Sequence, residues 1–271
     1  MPALCESIKR SLVEKLGVPL VEVLEAAGRE AERLGFKAFL VGGLVRDLCL
    51  GKDNADVDLV IEGDGIEFAK SFAPRYGAKL RCYVRFGTAT IVFPAGFKID
   101  VATARVESYD RPAALPTVRP GRIEDDLYRR DFTINAMAIA LSPPAVGQVM
   151  DPFGGRVDIR DKKIRVLHER SFVDDPTRIF RALRFEGRLG FHLDESTQRL
   201  VREALASGML ERLQDYRIAT ELRLILQEQN PRPVIRRLES LGALVPVRTR
   251  ARSNRILRKV LNEVTKIADD R

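Results

Sequence analysis

The chain has 271 residues, 45% hydrophobic and 31% charged, a balance that predicts a soluble globular protein of two or three small domains. No apolar run approaches the ~20 residues of a membrane span, and the opening MPALCESIKRSLVEKL mixes charges into its apolar pattern, so no secretory signal is expected and the expected compartment is the cytoplasm. The net charge of +8, with a pI of about 9.6, suits a polyanionic partner, although a basic solvated surface would give the same figures.

Apolar residues three and four apart predict helices over residues 3–16 and 20–35. KAFLVGG reads as a strand ending in two glycines, GLVRDLCLG as a short helix closed by Gly51, and DVDLVIE as a strand. IEFAKSFAPRYG follows as a helix closed by Gly77, and AKLRCYV, TATIVF and FKIDVATAR as successive strands, a mixed αβ pattern over residues 36–105. Residues 106–123 carry Pro112, Pro116 and Pro120 with few apolar residues in register and are expected to form a long functional loop. DDLYRRDFTINAMAIAL is helical in its first part, and SPPAVGQVMDPFGGRVDIRDKKIRVL is turn-rich with a short strand pair. From about residue 172 the pattern is all-helical, with the boundary between αβ head and helical body near residues 145–170.

Cys5, Cys49 and Cys82 are scattered without CxxC spacing, and His168 and His192 are the only histidines. A zinc site, a disulfide framework and a Ser-His-Asp triad are therefore not expected. Any metal must be held by carboxylates, which points to Mg²⁺. Asp56 and Asp58 open the DVDLVIE strand, and strand alternation points both to one face. Two neighbouring acids repel and are costly to bury unpaired, a conflict that a divalent cation resolves. Asp100, in IDV, becomes a third ligand if its strand pairs near the first. Two Mg²⁺ ions held in this way activate an attacking hydroxyl and stabilise a leaving phosphate. Taken alone, Asp56 and Asp58 read equally as a solvated strand end.

Upstream, the strand runs into Gly42 and Gly43 and then a helix start. Glycines allow close backbone approach, and a helix N-terminus offers free N–H groups to a triphosphate. Arg46 lies one turn along and is expected to reach the same phosphates.

This pairing of glycine turn and acids resembles the nucleotidyltransferase superfamily that includes DNA polymerase beta. Further segments narrow the resemblance. Asp126 to Met137 (DLYRRDFTINAM) looks like the RRDFTINAMA signature of bacterial tRNA nucleotidyltransferases and poly(A) polymerases. Asp151 to Gly155 (DPFGG) and Ser171 to Phe185 (SFVDDPTRIFRALRF) match the next motif and the nucleotide-recognition helix, so the resemblance runs from about residue 36 to 245. It implies an α+β fold, a polymerase-beta-like head with a mixed sheet followed by an all-helical neck and body. The expected parts are N-terminal helices over 1–35, a catalytic head over 36–145, a neck over 146–205 and an RNA-binding body over 206–271.

By the same resemblance Asp175 and Arg178 read the incoming base. They lie three apart on a helix, one accepting and the other donating, a pattern that suits adenine and cytosine and clashes with guanine and uracil. Asp174 stands where the family usually has Glu. Arg130, Arg181 and Arg184 are implied to contact triphosphate or ribose, and Arg129 and Asp131 read equally as a structural ion pair that positions Arg130. YDRPAALPTVRP is similar to the flexible loop of A-adding members. Arg248, Arg250, Arg252, Arg255, Arg258 and Lys259 form a basic run fit either to grip RNA phosphates or to be a solvated helix face. Beside the family's members the chain is short at its C-terminal end. The expected activity is addition of the terminal A, from ATP, to a tRNA 3′ end. Full CCA addition (with CTP), CC addition and poly(A) synthesis follow as alternatives. A small-molecule nucleotidyltransferase and a non-catalytic RNA-binding module are more remote.

Overall fold

A computed structural model describes residues 6–54 and 56–269. Residues 3–5 of the first expected helix lie outside the described residues. The chain forms α1 (Glu6–Leu16) and then α2 (Val18–Arg33), whose Leu20, Leu24, Ala27 and Ala31 are buried at helical spacing. Gly28 on α2 is a close-approach position, since a Cβ there would lie 1.9 Å from the Leu141 carbonyl oxygen. Then come β1 (Lys37–Val41), α3 (Gly43–Cys49), β2 (Val57–Glu62), α4 (Gly65–Phe72), β3 (Lys79–Tyr83), β4 (Thr88–Val92) and β5 (Lys98–Thr103). Asp64 caps α4 by accepting from the Ile66 and Glu67 N–H groups, and Phe68 and Phe72 stack beneath the sheet. The chain continues through β6 (Arg105–Ser108), β7 (Thr117–Pro120), α5 (Ile123–Tyr128), β8 (Ala138–Ala140), β9 (Val149–Met150) and α6 (Gly155–Arg160).

Seven strands make one mixed sheet in the order β3-β4-β5-β2-β1-β8-β9. β2 and β5 are parallel; β1 pairs antiparallel with β2 and β8, β4 with β3 and β5, and β8 with β9. One compact unit comprises Met1–Glu107 and Val118–Ile159, and a second comprises Ser108–Thr117 and Arg160–Arg271. The expected loop over 106–123 is partly regular, because β6 and β7 pair as a two-stranded ribbon. Pro120 is tolerated as the last residue of its strand. The strand pair expected within 142–167 is also corrected: β9 pairs with β8, and α6 separates it from the next strand.

The second unit holds β10 (Lys163–Ile164), α7 (Ser171–Asp174), α8 (Thr177–Leu189), β11 (His192–Leu193), α9 (Glu195–Ala206), α10 (Asp215–Leu226), α11 (Arg232–Ser240), α12 (Val245–Ala251) and α13 (Arg255–Asp269). Apart from the short β10–β11 pair it is helical, with α8 and α13 each packed on α10 and α11. Phe180 and Phe185 belong to its core. Among the described residues no helix is long and apolar enough to cross a membrane.

Candidate active site

β2 and β5 run side by side with Asp58 directly opposite Asp100, so both carboxylates stand on the same face of the sheet. Burial lifts the Asp58 pKa from 3.8 to about 6; Arg130 works against this, Asp100 and Asp56 add to it, and Lys98 opposes it. Asp100 is held by two donors, Thr90 Oγ1 to Oδ1 at 2.6 Å and Lys98 Nζ to Oδ2 at 2.9 Å. Asp56 lies exposed just before β2, and its N–H donates to Asn54 Oδ1 at 2.9 Å. Over this face lies an open cleft of about 300 Å³ whose lining includes Asp58, Asp100, Thr90, Tyr83, Arg129 and Arg130.

Gly42 ends β1 beside these acids, since Val41 is paired with Asp58. Its φ of 75° favours glycine, and a Cβ there would lie 3.3 Å from both Asp58 Oδ2 and Arg130 Nη1. A Cβ on Gly43 would meet Asn54 Nδ2 at 3.2 Å. Arg46 departs from expectation. Its side chain is buried, with Nε and Nη2 donating to the two Asp47 oxygens at 2.8 and 2.7 Å and Nη1 to Asn135 Oδ1 at 2.7 Å. A guanidinium so engaged buttresses the glycine turn from inside and is not offered to phosphates.

The same network explains the RRDFTIN segment. Asn135 donates to Asp131 Oδ1 at 2.9 Å, and Asn54 donates to Asp47 Oδ2 at 2.7 Å. Asp56 is thereby linked through Asn54, Asp47, Arg46 and Asn135 to Asp131. The carboxylate that positions Arg130 is the buried Asp126, which accepts from Arg130 Nη2 at 2.9 Å and from Arg129 Nη2 at 2.6 Å. Arg130 Nε is buried without a hydrogen-bond partner among the described residues, a donor left over in the cleft wall.

In the second unit, Asp175 lies in extended backbone between α7 and α8. Its Oδ1 accepts from the Thr177 N–H at 3.0 Å, the Thr177 hydroxyl at 2.6 Å and Arg217 Nη2 at 2.8 Å. Arg178 is buried and donates from Nη1 to Ser171 Oγ at 2.7 Å. Asp174 pairs with Arg170 at 3.2 Å. Burial and the nearby Arg178 charge hold the His168 pKa below its usual value, with Asp174 partly offsetting them. Arg181 and Arg184 flank the Phe185 ring at 5.8 and 5.4 Å, and Arg184 also meets Glu228 at 3.3 Å.

Residues 38–165 match the poly(A) polymerase head domain family. The A-adding tRNA nucleotidyltransferase of Geobacter sulfurreducens is 48% identical over 226 residues, 83% of this chain and 26% of that protein. That of Halalkalibacterium halodurans is 43% identical over 223 residues, 82% of this chain and 52% of that protein. A CCA-adding enzyme solved in an apo form superposes with a TM-score of 0.85 at 42% identity, over 91% of this chain and 58% of that one. Residues 38–165 belong to the poly(A) polymerase head domain family, and most of the chain is similar to bacterial tRNA nucleotidyltransferases. The first unit holds most of the residues matched to the polymerase-beta-like head, and residues 171–185 fall in the helical second unit. The chain spans between about a quarter and three fifths of the length of these three relatives.

The C-terminal basic run is divided by its partners. Arg248 pairs with Glu239 at 2.6 Å, Arg250 pairs with Asp215, and Arg258 donates to the Ala251 and Arg252 carbonyls. Arg252, Arg255 and Lys259 are exposed and hold no ion pair among the described residues. Among the described residues, three of the six cations are thus engaged within the protein and three are not. Residues that sequence reading passed over are Asp47, Asn54, Asp126, Asn135 and Arg217, each a partner of a residue it did single out.

Proposed function

We propose that this chain transfers AMP from ATP to the 3′-hydroxyl of a tRNA ending in CC, releasing pyrophosphate. The observation that carries this reading is the register of Asp58 against Asp100, beside a glycine turn and Arg130 in one cleft. Similarity to A-adding relatives at 43% and 48% identity favours A addition within the family. The 3′-oxygen bonds to the α-phosphorus, the bond to the bridging oxygen breaks, pyrophosphate leaves with the electron pair, and the hydroxyl proton is lost to solvent.

Among the described residues no three His, Cys, Asp or Glu side chains are grouped closely enough to hold a metal ion. The donor set nevertheless fits Mg²⁺. All the donors are carboxylate oxygens, and the Asp58 pKa is raised chiefly by burial, with Asp100 and Asp56 adding to it, a cost of holding the charged form that a dication would relieve. Asp56 and Asp58 would hold the metal, two ions in the full reading, with Asp100 as a further ligand. Bound there, Mg²⁺ supplies charge neutralisation at the nucleophile and the leaving group. Gly42 and Gly43 allow close approach of the triphosphate, and Arg130, aimed by Asp126, donates to it. Asp175, just before α8 and so not on a helix as expected, and Arg178 select the base, and Arg181 and Arg184 serve the nucleotide from α8, the helix that carries Arg178. Arg252, Arg255 and Lys259 are the cations left for RNA phosphates.

We assign 1–35 to supporting helices, 36–145 to catalysis, 146–205 to the neck and 206–271 to the body, and place the protein in the cytoplasm. The test is incubation with Mg²⁺, labelled ATP or CTP, and tRNA transcripts ending before CCA, after C and after CC. A single A added only to the CC-ending transcript establishes the reading. CCA on the bare end, C addition alone or long A ladders would replace it by complete CCA addition, CC addition or poly(A) synthesis, and no incorporation would overturn it.

A further inference from the structure

The face bearing Asp58 and Asp100 continues past them to the edge of the sheet. Register carries Asp58 to Asp100 on β5, Asp100 to Thr90 on β4, and Thr90 to Arg81 on β3. These four side chains form one row, ~14 Å long at ~4.8 Å per strand. The adjoining rows end at Tyr83, opposite Thr88, and at Lys79, opposite Val92. The reverse face buries Ile91, Ile99 and Val101, with β4 and β5 packed against α4. On the open face Lys79, Arg81 and Tyr83 are exposed, and neither cation has an ion pair or side-chain hydrogen bond among the described residues.

The glycine turn lies on the other side of Asp58, because β1 flanks β2 there while β5, and beyond it β4, lie on this side. The carboxylate pair therefore divides the face. With the triphosphate seated at the glycine turn and Arg130, pyrophosphate leaves on the β1 side. In-line displacement sets the nucleophile opposite the leaving group, so the attacking hydroxyl arrives from the β4–β3 side. Two unpaired cations and an exposed phenol ring are waiting there, the chemistry that holds a single strand: charge for phosphates and a π face for bases. Lys79 and Arg81, two residues apart on one strand and so ~6.7 Å apart, are able to take different phosphates.

We propose that the open face of β3, β4 and β5 seats the last nucleotides of the RNA whose 3′-hydroxyl attacks, with Lys79 and Arg81 on its phosphates and Tyr83 against a base. The proposal rests on the reading above that this chain extends RNA from a nucleoside triphosphate.

The experiment compares wild type, the Lys79→Ala/Arg81→Ala double variant, Tyr83→Ala and Tyr83→Phe, using a CC-ending tRNA transcript and ATP. The double variant is expected to raise KM for the transcript ~10-fold at 0.15 M salt and to flatten the slope of log affinity against log salt by ~1.4. KM for ATP should change less than twofold. Tyr83→Ala should weaken the transcript several-fold, and Tyr83→Phe should not. An unchanged transcript KM and salt slope would overturn the proposal, as would an equal rise in KM for ATP. Fluorescence anisotropy of the labelled transcript without ATP separates this from failure of the parent reading. Should the wild type add no nucleotide, weaker binding by the double variant still supports the seat, and unchanged binding still overturns it. Thermal melting checks that these surface variants remain folded.

Discussion

Arg217, on α10, donates from Nη2 to Asp175 Oδ1 at 2.8 Å across 42 positions of sequence. Thr177 adds two more donors to that same oxygen, while none reaches Oδ2 among the described residues. One carboxylate oxygen is thus fixed and the other is left to accept from a ligand. If Asp175 reads the base, Arg217 positions it. Arg217→Ala should then narrow the ratio of kcat/KM for ATP over GTP by ~10-fold, the scale of one charged hydrogen bond. Arg217→Lys should recover part of the ratio. Selection that stays constant in both variants would leave Arg217 a structural pair alone.

Arg46 and Asp47 are both buried and share two hydrogen bonds. Removing one partner strands the other, so Asp47→Ala and Arg46→Ala should each lose ~3–5 kcal/mol of stability, measured by urea unfolding. An Arg46→Ala protein of full stability but raised KM for ATP would restore the phosphate role that the structure does not support.

Glu30 is buried, with Arg33, Ser71 and Arg75 around it, and its pKa is lowered from 4.5 to about 2, chiefly by the Arg33 hydrogen bond, burial opposing. A depressed acid stabilises the fold fully above its unfolded pKa and loses that contribution as pH falls toward the folded one. The stability gap between wild type and Glu30→Gln should be widest above pH ~5 and close between pH ~4.5 and ~2. A gap independent of pH would remove Glu30 from this role.

Asp58→Asn should lower turnover by more than ~10²-fold, as does loss of one charge-stabilising group in other enzymes. Its melting temperature should match or exceed that of wild type, because the native carboxylate is crowded by burial and by Asp100 and Asp56. Retained turnover would overturn the metal assignment.

How far the sequence could be read depended on whether a signal was local. Alternation was expected to put Asp56 and Asp58 on one face, yet β2 begins only at Val57 and leaves Asp56 outside the strand; the IDV pattern marked Asp100 as a candidate, but only pairing set Asp58 against Asp100. The inward turn of Arg46 needed Asn135, 89 positions away, and nothing near residue 46 signals it. Three prolines made residues 106–123 look irregular, although Pro112 and Pro116 lie between β6 and β7, and Pro120 only ends β7. In the basic run, charge alone could not separate Arg250, tied to Asp215, from the free Arg252.

The chain passes from the first unit to the second after Glu107, returns after Thr117, and leaves again after Ile159. Residues 108–117 thus belong with the later half, where the Ala113 N–H donates to the Val173 carbonyl at 3.0 Å. A single splice after Ile159 would graft one homologue's helical half onto another's loop. Chimaeras that exchange nucleotide preference between relatives therefore need three junctions, so that the small inserted segment travels with the distant helices it was fitted to.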